Sequence, residues 1–173
     1  MNFKINEAIE LLERTPETLS HLLVGLSPGW LTCNEGDNTW NVLEVVTHLI
    51  EGEKVNWIPR INIILTKGAS YTFPPFDRFS HLKNKEEKNI EQLLLEFKQC
   101  REESLLTLKN KLKTITDFEQ TALHPEFGPV RLRELLSTWA VHDLTHITQI
   151  TRIMAKRYKE DVGPWKNYLG ILK

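Results

Sequence analysis

The chain has 173 residues, 40% hydrophobic and 26% charged, enough for one domain with a substantial core. Lys and Arg number 22 against 23 Asp and Glu, a net charge of -1, so no basic face is prepared for nucleic acid or an anionic membrane. No apolar run approaches the roughly 20 residues of a membrane span, the acidic N-terminal stretch lacks a signal-peptide cleavage site, and Cys33 and Cys100 are expected as free thiols of a cytoplasmic protein.

Residues 4–24 predict a first helix: Ile5, Ala8, Ile9, Leu12, Leu19, Leu22 and Leu23 recur near the helical period, and Pro16 is expected to bend or interrupt it. LSPGW then breaks the chain. Asp37, Asn38 or Thr39 is expected to cap a second helix running from near Trp40 to Lys67, with a kink at Pro59. GASYTFPPFDRF reads as an ordered loop with Tyr71, Phe73, Phe76 and Phe79 tucked against the helices. A third helix is predicted over 85–112, its apolar stripe formed by Ile90, Leu93, Leu94, Phe97, Leu105 and Leu108. The segment after it hints at a short hairpin turning at Phe127-Gly128-Pro129. The fourth helix is predicted from Arg131 to Arg157, and the tail WKNYLGIL is apolar enough to dock. Four long amphipathic helices without an alternating strand series predict an all-α four-helix bundle, one domain over residues 1–173.

The chemistry concentrates on the fourth helix, in STWAVHDLTHITQITRIM. His142 and His146 are four residues apart, so their side chains stand about 40° apart around the axis, one turn above the other. They share that side with Leu135, Trp139, Ile150 and Ile153, and Gln149 falls beside them. Two imidazoles at this spacing can hold one transition metal, and burying both uncompensated would cost several kcal/mol. The second helix repeats the pattern. His48 stands mid-stripe with Asn41, Val45 and Gly52, and the missing side chain at Gly52 could let a ligand or metal approach. Glu44 and Glu51, one turn either side of His48, are candidates to orient its second ring nitrogen. The predicted ligand set is therefore His48, His142 and His146, with Glu44, Glu51 and Gln149 as supporting residues. The motif is not HExxH, since Asp143 follows His142 where that motif has the glutamate base. His124 reads as a surface-loop residue, His21 and His81 as exposed, and Trp40, Trp139 and Trp165 as core or wall.

WNVLEVVTHLIEGE resembles the W-x-x-x-E-x-x-x-H-L motif of the DinB-like (DinB/YfiT-like) superfamily, and FGPVRLRELLSTWAVHDLTHITQITRIM resembles its last-helix motif with H-D-x-x-H-x-x-Q-I. The tail VGPWKNYLGIL is similar to the ending of one branch. The resemblance implies an up-down-down-up bundle, often a homodimer, with a divalent metal, commonly zinc or nickel, on His48, His142 and His146. It also implies a small-molecule substrate and, in characterised members, a low-molecular-weight thiol as co-substrate. The leading expectation is a metal-dependent thiol S-transferase acting on small electrophiles. A metal-dependent hydrolase is the alternative within enzymes, and a non-catalytic metal-binding or dimerisation module the alternative outside them. No particular residue is singled out as the catalytic base.

Overall fold

A computed structural model describes residues 2–83 and 88–173. The helices are α1 (Ile5–Leu23), the single turn α2 (Pro28–Leu31), α3 (Val42–Val55), α4 (Trp57–Lys67), α5 (Ile90–Leu112) and α6 (Leu132–Lys156). Strands β1 (Thr121–His124) and β2 (Gly128–Arg131) form the hairpin, paired antiparallel with Thr121 opposite Arg131, and Gly128 takes φ 70° at its turn. The predicted start of the third helix at 85 lies outside the described residues; α5 begins after Asn89, whose side chain accepts from the Gln92 N–H while Gln92 accepts from the Asn89 N–H.

The cap of α3 falls later than the sequence suggests. Asn41, rather than residues 37–39, accepts from the Glu44 N–H at 3.0 Å, and Glu44 Oε2 accepts from the Asn41 N–H at 3.0 Å. The expected kink at Pro59 is a break: Pro59 offers no N–H to the Val55 carbonyl and its ring crowds it, so the helix parts at Asn56 (φ -107°, ψ -63°) into α3 and α4. Pro16, by contrast, sits inside an unbroken α1.

Direction follows from cross-helix pairs. Glu17 meets Lys98 and Glu13 meets Lys109, so α1 and α5 run antiparallel. His48 meets His142 while Glu53 meets Trp139, so α3 and α6 also run antiparallel. Val42–Ile50 pack beside Ile90–Phe97, and Trp57–Ile64 beside Leu105 and Leu108, so the α3–α4 arm runs parallel to α5. Leu19 packs with Ile150 at one end, and Leu12 with Leu132 and Trp139 at the other, so α1 runs parallel to α6. This is the up-down-down-up four-helix bundle.

The apolar core divides into two clusters, one around Leu19, Val45, Leu49, Phe97 and Ile150, the other around Leu12, Trp57, Ile61, Leu105 and Trp139. A charged layer on α3, α5 and α6 comes between them in sequence. The Arg101 guanidinium donates to both oxygens of Asp143 (2.6 and 2.9 Å), to Glu53 Oε1 (2.9 Å) and to the Leu12 carbonyl (2.9 Å). The Trp139 indole N–H also donates to Glu53 Oε1 at 3.0 Å. The Leu12 carbonyl is available because its helical partner, four residues on, is Pro16, which has no N–H. Arg101 thus fills the gap that proline leaves in α1.

Several apolar side chains lie elsewhere than expected. Phe73 is buried and Phe76 half-buried, but Tyr71 and Phe79 are exposed; Phe73 is tied in by backbone bonding to Leu123. In the tail, Trp165 and Tyr168 are exposed and Leu172 is the buried residue, seated against α6. Both cysteines are free. Among the described residues, no helix is long and apolar enough to cross a membrane.

Arg101→Met leaves two buried carboxylates facing each other without a cation. The expected loss is about 3–5 kcal/mol in urea unfolding. A loss below about 1 kcal/mol would show that the layer contributes little.

Candidate metal centre

His48 arrives on α3, and His142 and His146 on two successive turns of α6. Their Nε2 atoms converge: His48 to His142 is 3.3 Å and His142 to His146 is 3.1 Å. One ligand atom from each lies within 4.8 Å of the others. Zinc–imidazole bonds of about 2.0–2.1 Å in tetrahedral geometry place two ligand nitrogens about 3.3 Å apart, close to the separations of His48 and His146 from His142, so the three residues suit a divalent ion.

The surroundings keep the rings neutral. Burial, reinforced by the mutual repulsion of the histidines, pushes His48 and His142 down to about pKa 3. Burial also lowers His146, against the opposing effects of its bond to Gln149 and of Asp143. Gln149 Oε1 accepts from His146 Nδ1 at 2.8 Å, which fixes the proton there and leaves the Nε2 lone pair for a ligand. The supporting role expected of Gln149 is thus to orient a histidine.

The glutamates do other work. Glu44 closes the α3 cap, and Glu51 Oε1 accepts from the Ser80 hydroxyl at 3.1 Å. Among the described residues neither hydrogen-bonds His48; its Nδ1 and that of His142 are buried without a well-formed partner. The space at Gly52 is taken by the Trp57 indole, with Nε1 3.4 Å from where a Cβ would stand, not by a ligand.

Aromatic rings wall the centre. Trp40 lies 4.8 Å from His48 between ring centroids, and Trp57 lies 5.1 Å from His142. His81, expected at the surface, is buried and packs edge-on against Trp40 at 4.6 Å and against His48 at 5.2 Å. Of the tryptophans grouped as core or wall, Trp139 is core and Trp40 wall, whereas Trp165 stands in solvent.

A cavity of about 400 Å³ opens over the histidines, with all three in its lining. His124, expected on a surface loop, lines it too, stacked on Phe127 at 4.4 Å. Burial and the nearby Arg60 charge lower the His124 pKa, and its Nδ1 accepts the Glu126 N–H at 3.1 Å, so its neutral ring carries the proton on Nε2. The carboxylate in the lining, Glu134, is held by Arg131 at 2.8 Å. Neutral ligands at the floor, apolar walls and a polar donor at the rim suit chemistry on a small molecule brought to the ion.

Sequence reading did not single out Arg101 and Glu53, and met Asp143 only as the residue in place of a glutamate. A lone arginine on the apolar stripe of α5, between Phe97 and Leu105, is the signal that could have found the layer.

The sequence profile of the DinB superfamily matches residues 11–150. A protein of Oceanobacillus iheyensis named as a candidate metal-dependent hydrolase is 23% identical over 156 residues, covering 90% of this chain and 89% of that one. Among solved structures, YfiT from Bacillus subtilis, described as a probable metal-dependent hydrolase with an unusual four-helix bundle topology, aligns with TM-score 0.74 at 22% identity over 91% of this chain and 89% of that one. The four-helix bundle protein TT2238 aligns with TM-score 0.56 at 20% identity over 86% of this chain and 98% of that one.

The depressed histidine pKa values set a pH dependence for protein treated with a chelator. His48 and His142 ionise near 3 when folded and near the ordinary imidazole value of about 6.5 when unfolded. The unfolded chain therefore binds more protons between these limits, so stability is full above about 6.5 and falls as pH drops toward about 3. His142→Gln should flatten that slope by at most about 1.4 kcal/mol per pH unit. Parallel unfolding profiles for variant and parent across this window would contradict it.

Proposed function

The chain belongs to the DinB superfamily, and on that footing we propose that it is a metal-dependent hydrolase of small organic molecules, with one divalent ion held by His48, His142 and His146. The observation that carries this reading is the convergence of three Nε2 atoms at the floor of an open cavity. The hydrolase named for the Oceanobacillus relative supports the class of reaction. Zinc and nickel are among the ions suited to an all-imidazole set.

When bound, such an ion supplies a Lewis acid and a nucleophile generated at neutral pH, with coordination positions left over by three protein ligands. The chain's own contributions are separable. Desolvation holds the imidazoles neutral, so no proton need leave them before they bind. Gln149 holds the His146 tautomer. Trp40 and Trp57 limit water around the ligand rings, which strengthens electrostatic interactions there. His124 Nε2–H is a donor for a substrate oxygen at the cavity wall.

Thiol transfer is the second reading. It shares the same centre and differs in the nucleophile, and a cavity of about 400 Å³ has room for a co-substrate as well as an electrophile.

Protein purified without a metal-affinity tag should hold about one divalent ion per chain by elemental analysis. His142→Ala should lose it together with turnover of an ester and amide panel. Full occupancy in a triple variant of His48, His142 and His146 would refute the site. Turnover that strictly requires an added thiol would move the assignment from hydrolysis to transfer.

A further inference from the structure

The cavity over the histidines is unbalanced in charge. Arg60 and Arg78 both line it. Arg60 is half-buried, lies over the Phe73 ring at 5.0 Å, and reaches the Pro74 carbonyl at 3.5 Å, too long for a strong bond. Among the described residues neither arginine pairs with a carboxylate, and Glu134 is already engaged by Arg131. Burial lowers the Arg60 pKa with no partner to offset it.

A second polar group in the same wall is also unused. Asn56 is buried at the break between α3 and α4, 7% exposed, and its Oδ1 has no hydrogen-bond partner. Arg60 stands four residues further on, so both side chains rise from one side of the chain. A guanidinium fork and an amide one turn apart, set among Trp57, Phe73 and Phe76, form a recognition surface with nothing in it from the protein.

We propose that this wall recognises a substrate bearing a carboxylate: Arg60 holds the carboxylate, Asn56 hydrogen-bonds a polar group beside it, and an apolar or aromatic body lies against the phenylalanines. A planar monoanion matches one half-buried fork in an apolar setting better than a phosphate dianion does. The proposal rests on the hydrolase reading for which bond is broken, but not for the charge of the ligand.

The test is calorimetric titration of the full chain with hippurate, its uncharged amide hippuramide, and phenyl phosphate, after chelation and again with zinc restored. Hippurate should bind at least about tenfold more tightly than hippuramide in both forms. Arg60→Gln should abolish that preference, with thermal unfolding confirming a folded variant. Asn56→Ala should weaken both hippuryl probes. Equal binding of hippurate and hippuramide by the parent protein, no saturable binding of hippurate, or tighter binding of phenyl phosphate overturns the proposal. A preference that exists solely with zinc present places the carboxylate on the ion and also overturns it. A chain that binds no zinc yet keeps the Arg60-dependent preference refutes the metal centre and leaves this proposal standing.

Discussion

Arg101 places a positive charge at a position with 1% of its surface exposed, where it must be compensated by the protein itself. Three helices converge on it: Asp143 from α6, Glu53 from α3, and the Leu12 carbonyl from α1. A buried ion cluster of this kind adds little net stability relative to a well-packed apolar substitute, because desolvation offsets most of the Coulomb gain. What it does impose is geometry. The two carboxylates must reach one guanidinium, so the heights of α3, α5 and α6 relative to one another are set.

That constraint is why the candidate centre has its shape. Asp143 is the residue after His142, and Glu53 lies five residues past His48. Fixing the two carboxylates on Arg101 therefore fixes the backbone segments that deliver the imidazoles, and the Nε2 atoms meet at 3.1 and 3.3 Å as a result. The layer also colours the field at the centre. The Arg101 charge lowers the His142 pKa, while Asp143 acts in the opposite sense on His146. Burial pushes the Glu53 pKa upward, with the charge of Arg101 opposing it.

The parts legible in the sequence are those governed by local periodicity. The four long helices and the inward pointing of His48, His142 and His146 follow from residue spacing on a helix, and the hairpin from its Phe127-Gly128-Pro129 turn, none of which needs knowledge of the partner. What was not legible depends on who faces whom. Glu44 looks like a partner for His48 when only its own helix is considered, yet its carboxylate caps that helix. His81 and His124 sit in short segments between the long helices, where no long period reveals a facing, so their approach to the centre is settled by tertiary packing around Trp40 and Phe127. The exposed Trp165 and Tyr168 make the opposite point: an apolar tail does not say how much of itself will dock.

Pro16 carries a consequence for how the bundle avoids near misses. Ile5, Leu12 and Leu19 recur every seven residues along α1, and an aliphatic stripe of that kind looks much the same to its neighbours after sliding by two turns. The bare Leu12 carbonyl does not. Moved away from Arg101, it would be an orphan acceptor in a water-free interior, and the guanidinium would lose a ligand at the same moment. A residue that weakens its own helix thereby removes the degeneracy of the leucines around it, and α1 has one vertical position in which to come to rest.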